Sequence, residues 1–167
     1  ADWPWAYTAT QRFSLSPDGL SVELELKNDG TSPMPCGFGM HPYYERTEGV
    51  RLQARAPVRW VGSQYLLPEW SEPVPPEWNF TEPQPLSPLA EMDGCFGQFG
   101  GTARLEWPEK GAALSIEADP IFGVLIVYVP KGQEFFCLET GSNVNDAFNL
   151  EARGVAGAFV EPGTGRG

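Results

Sequence analysis

The segment FSLSPDGLSVELELKNDG, residues 13–30, has the pattern of an antiparallel β-hairpin. Its Pro-Asp-Gly at residues 17–19 supplies turn-forming residues. From residue 20 to residue 27, leucine and valine alternate with serine, glutamate and lysine, which is the period-two pattern of a strand with one apolar and one solvated face. Asn-Asp-Gly at residues 28–30 ends the second strand. The segment therefore predicts a hairpin and favours a β fold.

The rest of the sequence also indicates a protein that is nearly all β. Glycine, proline, aromatic and β-branched residues are frequent, and no stretch keeps apolar residues at helical spacing over three turns. The run VLIVYV, residues 124–129, is apolar on both faces and predicts a central strand that is covered from both sides. Strands are predicted at residues 50–56, 103–107, 113–118, 123–129 and 135–139.

A proline-rich segment, residues 65–89, interrupts this pattern. Because proline has no backbone N–H to donate, the segment cannot form a continuous ladder and is predicted to be a long ordered loop. Its large apolar side chains predict that it docks on the core and is not disordered. They are Tyr65, Leu66, Leu67, Trp70, Trp78 and Phe80.

Length and charge limit the classes of function. The 167 residues fit a single domain, residues 1–167. The formal net charge of −11 repels nucleic acid and anionic membrane surfaces, so we expect neither as a partner. No apolar run has the ~20 residues that a bilayer span needs, and the first residues lack the pattern of a secretory signal. These features predict a cytoplasmic protein.

The three cysteines, Cys36, Cys95 and Cys137, are odd in number and far apart. Their spacing matches neither a disulfide framework nor a Cys-x-x-Cys metal site. We expect them to be reduced and mostly buried, as small apolar side chains. No metal site is expected.

The chain has one histidine, His41, which lies in the segment CGFGMHPYYER, residues 36–46. Histidine exchanges protons near neutral pH, so His41 is a candidate acid or base. A histidine among aromatic residues is also common as a packed core side chain. Gly37 and Gly39, which let backbone approach closely, favour a site. The segment alone leaves both interpretations open, and His41 is expected at or just past a strand end.

Two carboxylates are the other candidates. Glu139 follows the apolar run Phe-Phe-Cys-Leu at residues 135–138, so its side chain is expected to be paired, solvated at a rim, or raised in pKa for work as a base. Asp93 precedes Gly94 after the proline-rich segment, and Asp-Gly is a common turn. The sequence therefore leaves two interpretations of Asp93, a turn residue and a residue of the functional site.

Four segments, in this order, resemble the aldose 1-epimerase (galactose mutarotase) family. They are DGLSVELELKNDGTSPMPCGFGMHPYY, EMDGCFG, FFCLETGSNVNDAFN and GVAGAFVEPG, which begin at residues 18, 91, 135 and 154. The most specific parts are PMPCGFGMHPYY and CLETGSNVNDAFN. The resemblance implies an antiparallel β-sandwich, the supersandwich of this family, and this chain is similar to its C-terminal part, with both ends of the sandwich expected to lie outside it.

The resemblance also implies a chemistry and the roles of three residues. The family interconverts the α and β anomers of free aldoses without a cofactor. Glu139 matches the family's general base, His41 its general acid, and Asp93 a carboxylate that holds sugar hydroxyls. Trp70, Trp78 and Tyr65 are candidate flat surfaces for a sugar ring, although core packing is the usual role of such side chains.

Part of the family's site has no match in this sequence. Family members carry a further active-site histidine and a substrate-contacting arginine in their N-terminal half, whereas His41 is the single histidine here. We therefore expect the chain to associate with the missing half or with a second copy. Two alternatives to a free hexose epimerase stay open. One is a hexose-6-phosphate mutarotase, with Arg46, Arg51 and Arg55 as candidate phosphate ligands; the other is a carbohydrate-binding sandwich without turnover.

Overall fold

The computed structural model describes residues 3–62, 67–89, 91–151 and 158–160. Within them the chain is almost entirely β, and the one α-helix is α1 (Ala147–Glu151). The strands are β1 (Tyr7–Ser16), β2 (Gly19–Asn28), β3 (Met34–Cys36), β4 (Gly39–Met40), β5 (Tyr43–Glu45), β6 (Arg51–Ala54), β7 (Val58–Val61), β8 (Trp70–Pro73), β9 (Gln84–Pro85), β10 (Met92–Gly97), β11 (Thr102–Trp107), β12 (Ala112–Glu117), β13 (Val124–Val129), β14 (Phe135–Gly141) and β15 (Ala158–Val160). Single 3₁₀ turns occur at Pro76–Trp78, Ser87–Leu89 and Pro108–Lys110.

The predicted hairpin is β1 paired with β2, antiparallel through all ten residues of each strand. The register places Leu15 opposite Leu20 and Ser14 opposite Ser21. Since paired residues point to the same side, the hairpin has one apolar face and one polar face. Leu26, near the base of the apolar face, packs on the buried Met34 of β3. The predicted hairpin is confirmed, but the expectation of a single solvated face is not, because Phe13, Leu15 and Leu20 on the apolar face are each more than half exposed.

Two larger sheets form the body of the molecule. One has seven strands in the order β4-β14-β13-β10-β7-β8, with β5 also paired to β14. The other has four strands in the order β12-β11-β6-β9. All pairings recorded in both sheets are antiparallel. β3 pairs with β15 in a separate two-stranded sheet.

The core fills the space between the two larger sheets. Leu52 of β6 and Leu105 of β11 belong to one buried cluster with Phe96, Val127 and Phe136 of the seven-stranded sheet. Each of these side chains is fully buried. Such a layer, with apolar side chains from two facing sheets, is the core of a β-sandwich.

The strand predictions are confirmed, with shifts of one or two residues at the ends. The predicted strands at residues 50–56, 103–107, 113–118, 123–129 and 135–139 correspond to β6, β11, β12, β13 and β14. The run at residues 124–129 is central in its sheet, between β10 and β14. Its core-facing side chains are buried, but Ile126 and Tyr128 on the opposite face are only half-buried. Coverage of that second face is therefore partial.

The proline-rich segment docks on the core, as predicted. Phe80 and Leu86 are buried, and Trp78 packs against the main cluster. The segment also contains the short strands β8 and β9, each at the edge of its sheet, where a proline without a donor N–H is tolerated. Tyr65 and Leu66 lie outside the described residues.

Candidate active site

The strand register places His41 beside Glu139. β4 pairs with β14 through Met40 and Thr140, and β5 pairs with the same strand through Tyr43 and Cys137. The two pairings keep one register, so β4 and β5 are a single strand interrupted at His41 and Pro42. Pro42 cannot donate to a ladder, which accounts for the interruption. His41 therefore lies across from Glu139 and on the same face of the sheet.

That face is the one opposite the core, and we call it the site face. Phe136 and Leu138 of β14 point into the core, so Cys137 and Glu139 point to the site face. The side-chain contact follows the register: Nε2 of His41 lies 3.2 Å from Oε1 of Glu139. Glu139 lies inside β14 and is not its last residue, because the strand continues to Gly141.

The two partners differ in solvent exposure. The side chain of Glu139 is 16% exposed, whereas that of His41 is 54% exposed. Burial raises the pKa of Glu139, the neighbouring His41 lowers it, and the charge of Asp93 raises it further. The net pKa lies above that of an ordinary glutamate. A carboxylate with this environment is a stronger base than a solvated one.

Asp93 belongs to the same face. In β10 it pairs with Tyr128 of β13, and Tyr128 pairs with Cys137 of β14. The interpretation of Asp93 and Gly94 as a turn is wrong, because both residues lie inside β10. Desolvation by its surroundings raises the pKa of the Asp93 carboxyl. The sheet thus places two carboxylates with raised pKa values and one imidazole on one surface.

The segment before His41 is hydrogen-bonded to the loop that follows β14. Phe38 donates its N–H to the hydroxyl of Ser142 over 2.7 Å, and Ser142 returns its own N–H to the carbonyl of Phe38 over 2.8 Å. A Cβ on Gly37 would lie 3.4 Å from the side chain of Asn143. The loop that follows β14 is therefore held against the segment that carries His41. The expectation that His41 falls just past a strand end is confirmed.

The three aromatic residues predicted as candidate sugar-binding surfaces are not found together on the site face. Trp78 packs in the core, with its ring 6.2 Å from that of Phe96. Trp70 is exposed on the edge strand β8, and Tyr65 lies outside the described residues. Tyr43, by contrast, stacks its ring on that of His41, with 5.1 Å between the ring centroids. Sequence reasoning missed Tyr43, although its position two residues after His41 in a strand is the signal that places both on one face.

His41 and Glu139, together with Cys137, have the donor atoms of a possible metal site. Among the described residues, His41, Cys137 and Glu139 have ligand atoms that all lie within 4.8 Å of one another. Cys137, however, is fully buried. Burial, and then the charge of Glu139, raise the pKa of its thiol. A metal needs the thiolate, so this set fits a metal ion poorly. The expectation that no metal or cofactor is needed stays a prediction.

The cysteines otherwise follow expectation. Cys36 and Cys137 are buried, Cys95 is half-buried, and none of the three takes part in a disulfide. Desolvation raises the pKa of Cys95 to about 11. Cys95 also lies on the site face, where it packs with Trp60 and Ile126 against a buried cluster that includes Leu150 of α1. This small cluster fastens α1 to the sheet beside the candidate site.

Sequence comparison decides the family. The family model described as Aldose 1-epimerase matches residues 1–164. The chain belongs to the aldose 1-epimerase family. Of the curated proteins, the uncharacterized YphB of Escherichia coli K12 is 35% identical over 148 residues, which are 84% of this chain and 51% of YphB. The chain thus spans about half the length of the curated relative that it matches.

Solved structures agree with the aldose 1-epimerase fold. A crystal structure from Escherichia coli K12, provisionally named an aldose 1-epimerase, superposes with a TM-score of 0.87 and 30% identity, covering 97% of this chain and 58% of that one. A galactose mutarotase related enzyme of Lactobacillus acidophilus gives a TM-score of 0.77 at 15% identity, covering 98% of this chain and 60% of that one. The expected antiparallel sandwich of the galactose mutarotase type is confirmed. No helix in the described part of the chain is long and apolar enough to cross a membrane.

Proposed function

We propose that the polypeptide containing this chain is an aldose 1-epimerase that interconverts the α and β anomers of a free hexose. The observation that carries the proposal is the contact between His41 and Glu139, made across neighbouring strand segments on a surface outside the core. An imidazole and a carboxylate of raised pKa are the acid and the base that the reaction needs. Family membership supports the same reaction.

The chemistry is a pair of proton transfers at the two oxygens bonded to C1, the hydroxyl oxygen and the ring oxygen. Glu139 removes the proton from the hydroxyl on C1, and protonated His41 delivers a proton to the ring oxygen as the bond between C1 and that oxygen breaks. The product is the open-chain aldehyde. Rotation about the C1–C2 bond and the reverse transfers then close the ring to the other anomer, which restores both side chains.

The short distance between the two side chains suits this reaction. The hydroxyl oxygen and the ring oxygen of a pyranose are bonded to the same carbon, so the groups that exchange protons with them must also be neighbours. His41 and Glu139 meet this requirement without rearrangement of the sheet. His41 is exposed enough for a sugar to reach its ring.

Asp93 is proposed to hold sugar hydroxyls. Its carboxylate lies on the site face, two strands away from Glu139, and a carboxylate can accept hydrogen bonds from two hydroxyls. Its charge also acts on Glu139, since it contributes to the raised pKa of that base. Asp93 would therefore both bind the substrate and keep the base strong.

A free sugar fits the described surface better than a sugar phosphate. Arg46, one of the candidate phosphate ligands, donates instead to the carbonyl of Pro130 over 2.8 Å. Arg51 belongs to β6 of the other sheet, and Arg55 lines a groove on that sheet. Two carboxylates on the site face oppose a phosphate by charge. These contacts favour the hexose over the hexose 6-phosphate as substrate.

The substitution Glu139→Gln separates an enzyme from a carbohydrate-binding protein without turnover. We expect Glu139→Gln to lower the rate of mutarotation by about 10²- to 10⁴-fold, because the base is lost while the shape of the side chain is kept. The rate is followed by polarimetry of freshly dissolved α-D-galactose and α-D-glucose with the full-length protein. Sugar affinity, measured by calorimetry, should change little.

Glu134→Gln is the matched control, because Glu134 is exposed and lies just before the same strand. It should leave the rate unchanged. Absence of any acceleration over buffer by the wild-type protein, together with measurable sugar binding, would favour the binding protein. An active Glu139→Gln variant would remove Glu139 from the mechanism.

A further inference from the structure

His41 is an exposed side chain at an interruption in its strand, so the regular ladder does not fix the plane of its ring. More than half of its side chain is exposed, and it lies between β4 and β5, where the strand is interrupted. Glu139 contacts one edge of the ring through Nε2. A single contact at one atom leaves an exposed imidazole free to rotate about the bond that joins it to the backbone. A second contact is needed to hold the ring in place.

Tyr43 supplies that second contact. Its ring lies parallel to the imidazole, with 5.1 Å between centroids and 10° between planes. Tyr43 is two residues after His41 in the interrupted strand, so both side chains leave the same face of the sheet. Stacked rings resist rotation of either partner, because rotation removes the contact between their faces.

Tyr43 is itself held from its far side. The ring of Phe135 lies 5.0 Å from that of Tyr43, tilted by 51°. Phe135 is the first residue of β14 and is half-buried. Glu139, His41, Tyr43 and Phe135 thus form a row along the site face, in which each side chain contacts the next. The row is anchored at both ends by β14.

We propose that Tyr43 is a positioning residue that holds the imidazole of His41 with Nε2 directed at Glu139 and the reacting sugar. The proposal rests on the role of His41 as the acid. Tyr43 acts through His41 and is not itself required to touch the substrate. An acid displaced by about 1 Å from its productive position loses up to 10²-fold in rate, so loss of the stack should appear in catalysis.

Three substitutions separate this role from others. In the full-length protein, Tyr43→Ala should lower kcat by about 10- to 100-fold with KM nearly unchanged. Tyr43→Phe should restore most of the rate, because the stacked ring is kept. Tyr43→Leu, which keeps bulk without a flat ring, should resemble Tyr43→Ala. Tyr7→Ala is the control, since Tyr7 is also half-exposed but lies in β1 of the hairpin.

The outcomes have distinct meanings. A kcat for Tyr43→Ala within twofold of wild type overturns the proposal. A loss confined to KM, or a Tyr43→Phe variant as impaired as Tyr43→Ala, also overturns it, because either result assigns a direct contact between Tyr43 and the sugar. A fall in melting temperature that accounts for the lost rate, with Tyr43→Leu as active as Tyr43→Phe, assigns a role in folding only.

A measurement without turnover keeps the inference testable if the protein proves not to be an epimerase. A stacked tyrosine shifts the imidazole C–H proton signals of His41 through its ring current, and a His41→Asn variant identifies those signals in the NMR spectrum. Tyr43→Ala should move them and Tyr43→Phe should not. Unmoved His41 signals in Tyr43→Ala would overturn the inference. Absent mutarotation with moved signals would count against the proposed function alone.

Discussion

At the scale of residues, the site depends on charge placed where water is partly excluded. Glu139 is largely covered, and its base strength comes from burial combined with the charge of Asp93. The two carboxylates lie on adjacent rows of one sheet face, and the negative charge of Asp93 disfavours ionisation of Glu139. A protein retains such an arrangement at some cost in stability, which is typical of functional sites.

The coupling of Asp93 to Glu139 predicts a change in pH dependence. The negative charge of Asp93 raises the pKa of Glu139, so Asp93→Asn should lower that pKa. As the proposed base, Glu139 is active only when it is deprotonated, and a lower pKa keeps it deprotonated to a lower pH. The acid limb of a plot of log kcat/KM against pH should therefore move to lower pH in Asp93→Asn. This shift is measured from polarimetric rates in a series of buffers at constant ionic strength.

The control for this prediction is Glu91→Gln. Glu91 also loses one negative charge, but its carboxylate is exposed and pairs with Lys131 over 2.7 Å. The acid limb of the Glu91→Gln variant should coincide with that of the wild type. A limb that stays in place in Asp93→Asn, or moves to higher pH, would contradict the electrostatic coupling.

The residue types in the sequence predict only part of this candidate site. The sequence makes His41 and Glu139 candidates by residue type, but a lone histidine among aromatic residues is ambiguous, and only the family resemblance assigns it a role. The contact between the two depends on a register shared by β4 and β5, which no local pattern contains. The stack of Tyr43 on His41 follows from the same register and was not anticipated.

At the scale of elements, two features of strand chemistry shape the site. Pro42 interrupts the strand opposite β14, which frees His41 from the regular ladder while the register is kept. Gly94 lies inside β10, although the Asp-Gly sequence favours a turn at this position. Asp-Gly is common in turns. Here the pairing of β10 with β13 and the packing of β10 on the core outweigh that local preference.

Gly94 is required by the packing of Phe96. A Cβ on Gly94 would lie 2.7 Å from the ring of Phe96, which is fully buried and cannot move aside freely. Gly94→Ala should therefore lower the free energy of unfolding by about 1–3 kcal/mol, as overpacking of a core does. Differential scanning calorimetry of the full-length protein should show a melting temperature lower by several degrees.

Gly123→Ala is the matched control for Gly94→Ala. A Cβ on Gly123 meets no atom within 4 Å, and the residue directly precedes β13 of the same sheet. Its effect should be within about 0.5 kcal/mol of zero, as is usual for substitutions away from packed sites. If both variants melt at the same temperature, the ring of Phe96 has room to shift and the packing argument fails.

At the scale of the whole molecule, the hairpin β1–β2 differs from the sandwich in how well its apolar face is covered. Leu26 is packed at the base, but Leu15 is 85% exposed and Leu20 is 61% exposed near the turn. The alternation of these residues was evident from the sequence, whereas their exposure was not, because a period-two pattern does not specify what covers the apolar face. Exposed apolar side chains that lie together on one face are a candidate interaction surface.

We propose that a second copy of the chain covers this patch, which predicts that the 167-residue chain self-associates. Sedimentation velocity over a range of concentrations should show association, and Leu15→Lys combined with Leu20→Lys should reduce it. Ser14→Lys combined with Ser21→Lys is the control, because this neighbouring cross-strand pair adds the same charge to the opposite face of the hairpin. If the leucine and serine variants associate to the same extent, charge and not the apolar face governs the association. If the unmodified chain stays monomeric at all concentrations, the tip of the hairpin is stable in water without a partner.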